Sequence, residues 1–230
     1  MALGRLSLPL LIAGAWLVVN ASLAAAQPSV VATVQLGLGG YSPRSLATNP
    51  ITDRIYTANA STYGKTLSVI DGATNTVTAA AAAGPAGSAI VSVVVNPTTN
   101  RVYAANYYAN NVSVIDGATN TVMTTVPVGD SPDALAVNPT TNRVYVANLG
   151  SHNVSVIDGV TNTVVATVPV GTNPSAVAVN ATTNRVYVAN RNLNSVSVID
   201  GSINGVTAVV AVGSTPYAVG VNPTTNRVYV

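Results

Sequence analysis

Apolar residues come in short bursts of Val and Ala, cut every few positions by Asn, Thr, Gly and Pro. Beyond residue 20 no burst approaches the ~18 apolar residues of a membrane-spanning helix. The bursts recur in fixed order. The segment Asn-Pro-Thr-Thr-Asn-Arg-Val-Tyr-Val-Ala-Asn at 138–148 returns with small changes from Asn49, Asn96 and Asn180, and starts again at Asn222. A second landmark, Ser-Val-Ile-Asp-Gly, ends at Gly72, Gly117, Gly159 and Gly201. The first repeat spacing is 47 residues and the next three are 42.

Each unit parses into four strands. In the third they are a (134–137), b (143–147), c (154–157) and d (163–170), because Val, Ile, Thr and Tyr favour pleated backbone. Asn-Pro after strand a and Asp-Gly after strand c supply tight turns. The alanines at 79–83 are helix formers by propensity, but repeat register places them in a strand d. Four strands per ~40–45 residues is the arithmetic of a β-propeller blade. Stacked blades bury both faces of a strand, which accounts for continuous rather than alternating apolar runs. A β-solenoid is the rival, with shorter coils and fewer tight hairpins.

The Tyr-Val-Ala-Asn at 145–148, with its Ser-Val-Ile-Asp-Gly and Thr-Val-Pro-Val-Gly companions, resembles the YVTN-type β-propeller repeat. The likeness runs from about residue 30 to 230, although Ala replaces the family's Thr in every unit. It implies an exported bacterial protein or an archaeal surface-layer protein, usually with seven blades, and related propellers include lactonase-like enzymes. By the same parse, the chain holds a leading strand d at 30–36, four full units, and strands a and b of a fifth. The expectation is therefore an incomplete ring of about four and a half blades, cut from a longer propeller. A five-blade ring closed by the leading strand is the alternative.

The first 26 residues read as a signal peptide: Arg5, an apolar stretch at 6–19, and Ala24-Ala25-Ala26 before Gln27. The competing reading is a membrane anchor, against which the stretch is short and ends in small residues. Residues 27–230 then form the propeller domain in the periplasm, at the cell surface or outside the cell.

Antiparallel succession puts the a–b and c–d turns on one face and the b–c and d–a loops on the other. The first face is monotonous and the second varies, so the second is the candidate binding face. The residue five before each repeat Asn, at the start of the innermost strand, is Arg44, Val91, Asp133, Ser175 and Tyr217. Arg44, Asp133, Ser175 and Tyr217, with Tyr63, Lys65, Tyr107, Tyr108, Asp130, His152 and Arg191 from neighbouring loops, are the ligand candidates. A protein, a glycan or a small polar ligand is the expected partner.

Composition narrows the chemistry. Charged residues are 7% of the chain, and Glu, Phe and Cys are absent. Without cysteine there is no disulfide framework, thiol nucleophile or zinc knuckle. One histidine, His152, assembles neither a multi-histidine metal site nor a confident His-based triad. No motif implies a metal or cofactor. The repeated Asp71, Asp116, Asp158 and Asp200 read as turn residues, paired across the strands with Arg54, Arg101, Arg143 and Arg185. The repeated tyrosines 56, 103, 145 and 187 read as interblade packing with hydrogen-bonded hydroxyls. Asn59, Asn111, Asn153 and Asn180 match glycosylation triplets.

Once the signal is set aside, charges outside the repeated turns are Arg44, Lys65, Asp130, Asp133 and Arg191, all on the variable side. The first functional expectation is thus a non-enzymatic exported binding or scaffold module. A lactonase-like hydrolase using Asp133 and Asp130 is the second. A single-stranded nucleic-acid surface built from Tyr63, Tyr107, Tyr108, Lys65, Arg44 and Arg191 is the third, disfavoured by a near-neutral charge balance.

Overall fold

The structure is a computed structural model that describes residues 10–12, 15–17, 32–34, 36, 42–59, 66–85 and 88–230. The chain divides into two compact units, Met1–Thr33 and Val34–Val230. In the first, β1 (Leu10–Ile12) pairs antiparallel with β2 (Ala15–Leu17). The remainder of the expected signal peptide lies outside the described residues. No described helix is long and apolar enough to cross a membrane.

The second unit is a series of antiparallel sheets, each built from consecutive strands. Sheet 1 holds β3 (Pro43–Asn49), β4 (Arg54–Asn59), β5 (Thr66–Asp71) and β6 (Thr76–Ala82). Sheet 2 holds β7 (Ile90–Asn96), β8 (Arg101–Asn106), β9 (Asn111–Asp116) and β10 (Thr121–Pro127). Sheet 3 holds β11 (Pro132–Asn138), β12 (Arg143–Asn148), β13 (Asn153–Asp158) and β14 (Thr163–Pro169). Sheet 4 holds β15 (Pro174–Asn180), β16 (Arg185–Asn190), β17 (Ser195–Asp200) and β18 (Gly205–Ala211). A fifth sheet has two strands, β19 (Gly220–Asn222) and β20 (Arg227–Tyr229).

The four-strand parse is borne out in every full repeat, and the alanines at 79–82 lie in β6 as register required, with Ala83 just beyond it. Residues 30, 31 and 35 of the expected leading strand d lie outside the described residues. Its described residues, 32–34 and 36, belong to no strand.

The core lies between sheets. Tyr56 and Leu67 of sheet 1 share one buried cluster with Val93 and Val102 of sheet 2. Tyr103 and Val112 of sheet 2 share the next with Val144 and Ile157 of sheet 3. Tyr145 and Val156 of sheet 3 join Val186 and Ile199 of sheet 4. Strands b and c are buried on both faces, whereas the outer strands d are largely exposed despite their valines, as in β10. The sheets therefore approach closely at strands a and splay at strands d.

The buried Asn and Ser side chains of this core pair through the Asn amide, although the Oδ1 atoms of Asn106, Asn148 and Asn190 have no partner among the described residues. The last Asn of strand b donates to the middle Ser of strand c within each sheet: Asn59 to Ser68, Asn106 to Ser113, Asn148 to Ser155 and Asn190 to Ser197, at 2.8–2.9 Å. That pairing explains why Asn ends each Tyr-Val-Ala-Asn segment. It also occupies the amide of the glycosylation triplet at Asn59, while Asn180 of another triplet ends a strand a and donates to Asn226 at 2.8 Å; both are buried.

Two expectations about repeated side chains change. Each Arg stands opposite its Asp in register. Yet only Arg143 meets its Asp, Asp158, at 3.5 Å among the described residues. Arg54 and Arg101 instead reach the next sheet and donate to the carbonyls of Gly117 and Gly159, both at 2.6 Å. The aspartates are already engaged as turn caps: Asp116 accepts from the Ala118 and Thr119 amides at 2.8 and 2.9 Å. Tyr56 donates to the Gly117 carbonyl at 3.3 Å, but the buried hydroxyl of Tyr145 has no partner. Burial pushes both phenols above their ordinary value.

Candidate functional site

Strands a do more than line the inside of the sheet series. Each of β3, β7, β11 and β15 breaks register with its strand b at its second residue: Arg44, Val91, Asp133 and Ser175. A β-bulge leaves one residue unpaired and re-aims its side chain. The four bulge residues line one cavity of about 460 Å³, together with Tyr217 at the corresponding place before β19. These are the positions that the sequence singled out at the start of the innermost strand.

The b–c loops supply the rest of the wall except Ala89, which lies in the d–a loop before β7. Tyr107–Ala109 and Arg191–Leu193 are single 3-10 turns that end in Asn110 and Asn194 with φ of 51° and 49°. Tyr107, Leu149 and Arg191, which line the cavity, each follow the final Asn of strand b. That register position contains the signal for Leu149, which sequence reasoning passed over along with Ala89.

The charged groups are specifically arranged. Arg44 donates to Asp133 at 3.0 Å, bridging sheets 1 and 3. The Asp133 side chain is 11% exposed and that of Arg44 is 55% exposed. Burial pushes the Asp133 carboxyl up, with Arg44 and then Arg191 opposing that shift. Arg191 lies over the Tyr217 ring with its guanidinium carbon 4.2 Å from the centroid. Tyr107 and Tyr108 meet edge to face, centroids 5.1 Å apart. Ser175 Oγ donates to the Pro216 carbonyl at 3.1 Å and keeps its lone pairs for other donors.

The cavity thus gathers Arg44, Tyr107, Tyr108, Asp133, Ser175, Arg191 and Tyr217. It does not include Asp130 or His152. Asp130 is exposed and accepts from the Asn110 side chain at 3.2 Å. His152 Nδ1 accepts from the Asn173 amide at 3.3 Å and ties a b–c loop to the following d–a loop. Tyr63 and Lys65 lie outside the described residues. Among the described residues, no group of three or more His, Cys, Asp or Glu side chains is placed to hold a metal ion.

No family model and no curated protein matches the chain. Among solved structures it is similar to the hydrazine synthase of Kuenenia stuttgartiensis, at 21% identity and a TM-score of 0.72. The match covers 79% of this chain and 53% of that one, so the chain spans about half the length of that relative. Four radial sheets with close inner strands and splayed outer strands agree with that likeness. The fold is a β-propeller. Its four full blades and one half blade form an incomplete ring, with the cavity at the inner end of the strands on the variable-loop face. At this identity the likeness carries the fold and no activity.

Proposed function

We propose that the chain is an exported, non-enzymatic propeller of the YVTN-repeat kind whose variable face binds a ligand or partner. The observation that carries this reading is convergence. Seven side chains from four blades and the fifth blade's approach meet in one polar cavity, although the opposite face repeats almost the same turn in every blade. Binding is favoured over hydrolysis by the composition of the cavity wall. Among the described residues it contains a single carboxylate, already paired with Arg44, and no histidine to serve as its partner in proton transfer. Export rests on the charged, apolar and small-residue succession of the first 26 residues.

The test is equilibrium binding of the full chain to a panel of extracellular polysaccharides, peptides and small acids. A variant carrying Arg44→Ala, Asp133→Ala and Arg191→Ala is run beside it, with its unfolding midpoint checked. A ligand held by the parent and lost in the variant supports the reading. Turnover of a lactone that disappears in Asp133→Ala would sink its non-enzymatic part. Failure of residues 1–26 to export a fused reporter would sink the other.

A further inference from the structure

Resting on that binding role and deepening it, we infer that the cavity takes a uronic-acid unit: an acidic pyranose, free or at the end of a polysaccharide. The wall presents a combination of groups that neither a neutral sugar nor a plain organic acid satisfies.

The first component is anion recognition. Arg44 spends one N–H on Asp133, and the Arg191 guanidinium, stacked on Tyr217, makes no hydrogen bond among the described residues. The planar forks of both side chains therefore keep donors for a carboxylate, which they match in a bidentate manner. Among the described residues, two guanidiniums against one carboxylate leave the wall one positive charge in excess.

The second component is a need for donors. Asp133 is nearly buried, and only its Oδ1 has a hydrogen-bond partner among the described residues. Its Oδ2 is not sealed from solvent and stays open to a donor from the cavity. A ligand that brought only a second carboxylate would meet it with like charge. Sugar hydroxyls donate to it, and Ser175 Oγ accepts another.

The third component is shape. Tyr108 and Tyr217 are 70% and 62% exposed, offering flat apolar ring faces with a polar tip. The C–H face of a pyranose lies against such a surface. A cavity of about 460 Å³ holds one hexose-sized ring, at the lower end of the range of small-ligand sites. The three components together select a ligand with a carboxylate, several hydroxyls and an apolar ring face.

The experiment is titration calorimetry of the full chain with D-galacturonate, D-galactose and succinate, backed by saturation-transfer NMR. Galacturonate is expected to bind at least about tenfold more tightly than either comparison ligand, and more weakly as salt is added. Arg191→Gln is expected to cut that affinity about tenfold or more at an unchanged unfolding midpoint, because a charge-assisted pair is lost. Asp133→Asn is expected to weaken galacturonate without weakening succinate. Equal binding of galactose overturns the carboxylate contacts, and equal binding of succinate overturns the sugar contacts. No binding of galacturonate overturns the inference outright. If galacturonate fails while another panel ligand is lost in the triple variant, this inference falls and the binding role stands.

Discussion

The side-chain amide of Asn96 donates to the side-chain oxygen of Asn142, one blade away, at 2.7 Å. Its own oxygen meanwhile accepts the Thr98 amide at 3.1 Å and closes the turn in which Asn96 sits. One buried side chain thus folds its own hairpin and fastens the next. The same bond joins Asn49 to Asn100, Asn138 to Asn184 and Asn180 to Asn226, at 2.8 Å each. The accepting Asn has positive φ in every case, between 50° and 51° where it is Asn100, Asn142, Asn184 or Asn226. Few residues other than Gly enter that region readily, Asn among them, so both asparagines of the turn are required for different reasons.

Asn138→Asp separates the two roles. The carboxylate still accepts the turn amides of Thr140 and Thr141, but it faces the Asn184 oxygen with no proton to donate. Leaving buried acceptors opposed costs about 1–3 kcal/mol. Asn138→Ala loses both bonds at once and falls at the upper end. Urea unfolding at neutral pH measures both. A midpoint unchanged in Asn138→Asp would mean that this bond does not join the blades.

How far the sequence reveals this fold depends on whether a role repeats. Strand positions, turn chemistry and the caps made by Asp116 and Asp158 recur at fixed spacing, so they are legible from one chain. The destinations of Arg54 and Arg101 are not, because register gives the cross-strand neighbour while the long side chain reaches the next blade. The mouth is half legible. Spacing from the repeat Asn finds Arg44, Asp133, Ser175 and Tyr217, but the bulge that turns the strand a residues inward leaves no mark in an apolar pattern. His152 and Asp130, singled out by residue type, lie outside the cavity wall and make loop-to-loop hydrogen bonds.

His152 occupies the place held by Asn110 and Asn194 in the neighbouring blades. All three have φ between 49° and 55°. All three accept a backbone amide of the following d–a loop: Asn173 for His152, Ser131 for Asn110 and Thr215 for Asn194. The bonds from Asn are shorter, at 2.9 and 2.8 Å against 3.3 Å. His152→Asn is therefore expected to be neutral or to stabilise by a few tenths of a kcal/mol, whereas His152→Val loses about 1 kcal/mol or more. Thermal unfolding ranks the three proteins. Ligand binding at the cavity should be the same in His152→Asn and the parent.

The capping aspartates set the acid limit of the fold. Turn amides and hydroxyls donating to Asp71, Asp116, Asp158 and Asp200 hold these carboxyls below their ordinary value. A carboxyl lowered on folding contributes stability above its unfolded pKa of about 3.9, and that stability is lost as pH falls through the lower folded value. The contribution of these caps to the unfolding midpoint should therefore be complete from pH 5 to 7 and be lost below pH 4. Asp116→Asn keeps one acceptor for the turn and should flatten part of the drop. A parent midpoint that is constant to pH 2 would contradict the role of these caps.

Asp133 titrates in the opposite sense. Its carboxyl is raised chiefly by burial, so the contribution it makes to stability is complete below the unfolded value and is lost as pH rises through the folded one. Near neutrality the folded protein carries a desolvated charge whose pairing with the half-exposed Arg44 does not compensate it in full. Asp133→Asn removes that charge and retains the shape. It is expected to raise the unfolding midpoint at pH 7, with the gain shrinking to nothing as pH falls below about 3.9. The same substitution is expected to weaken ligand binding at the cavity about tenfold, because a charged acceptor is replaced by a neutral one. Greater stability with poorer binding would identify Asp133 as a residue kept for its ligand at the expense of the fold. Lower stability at pH 7 would instead mean that the bond from Arg44 outweighs the burial of the charge.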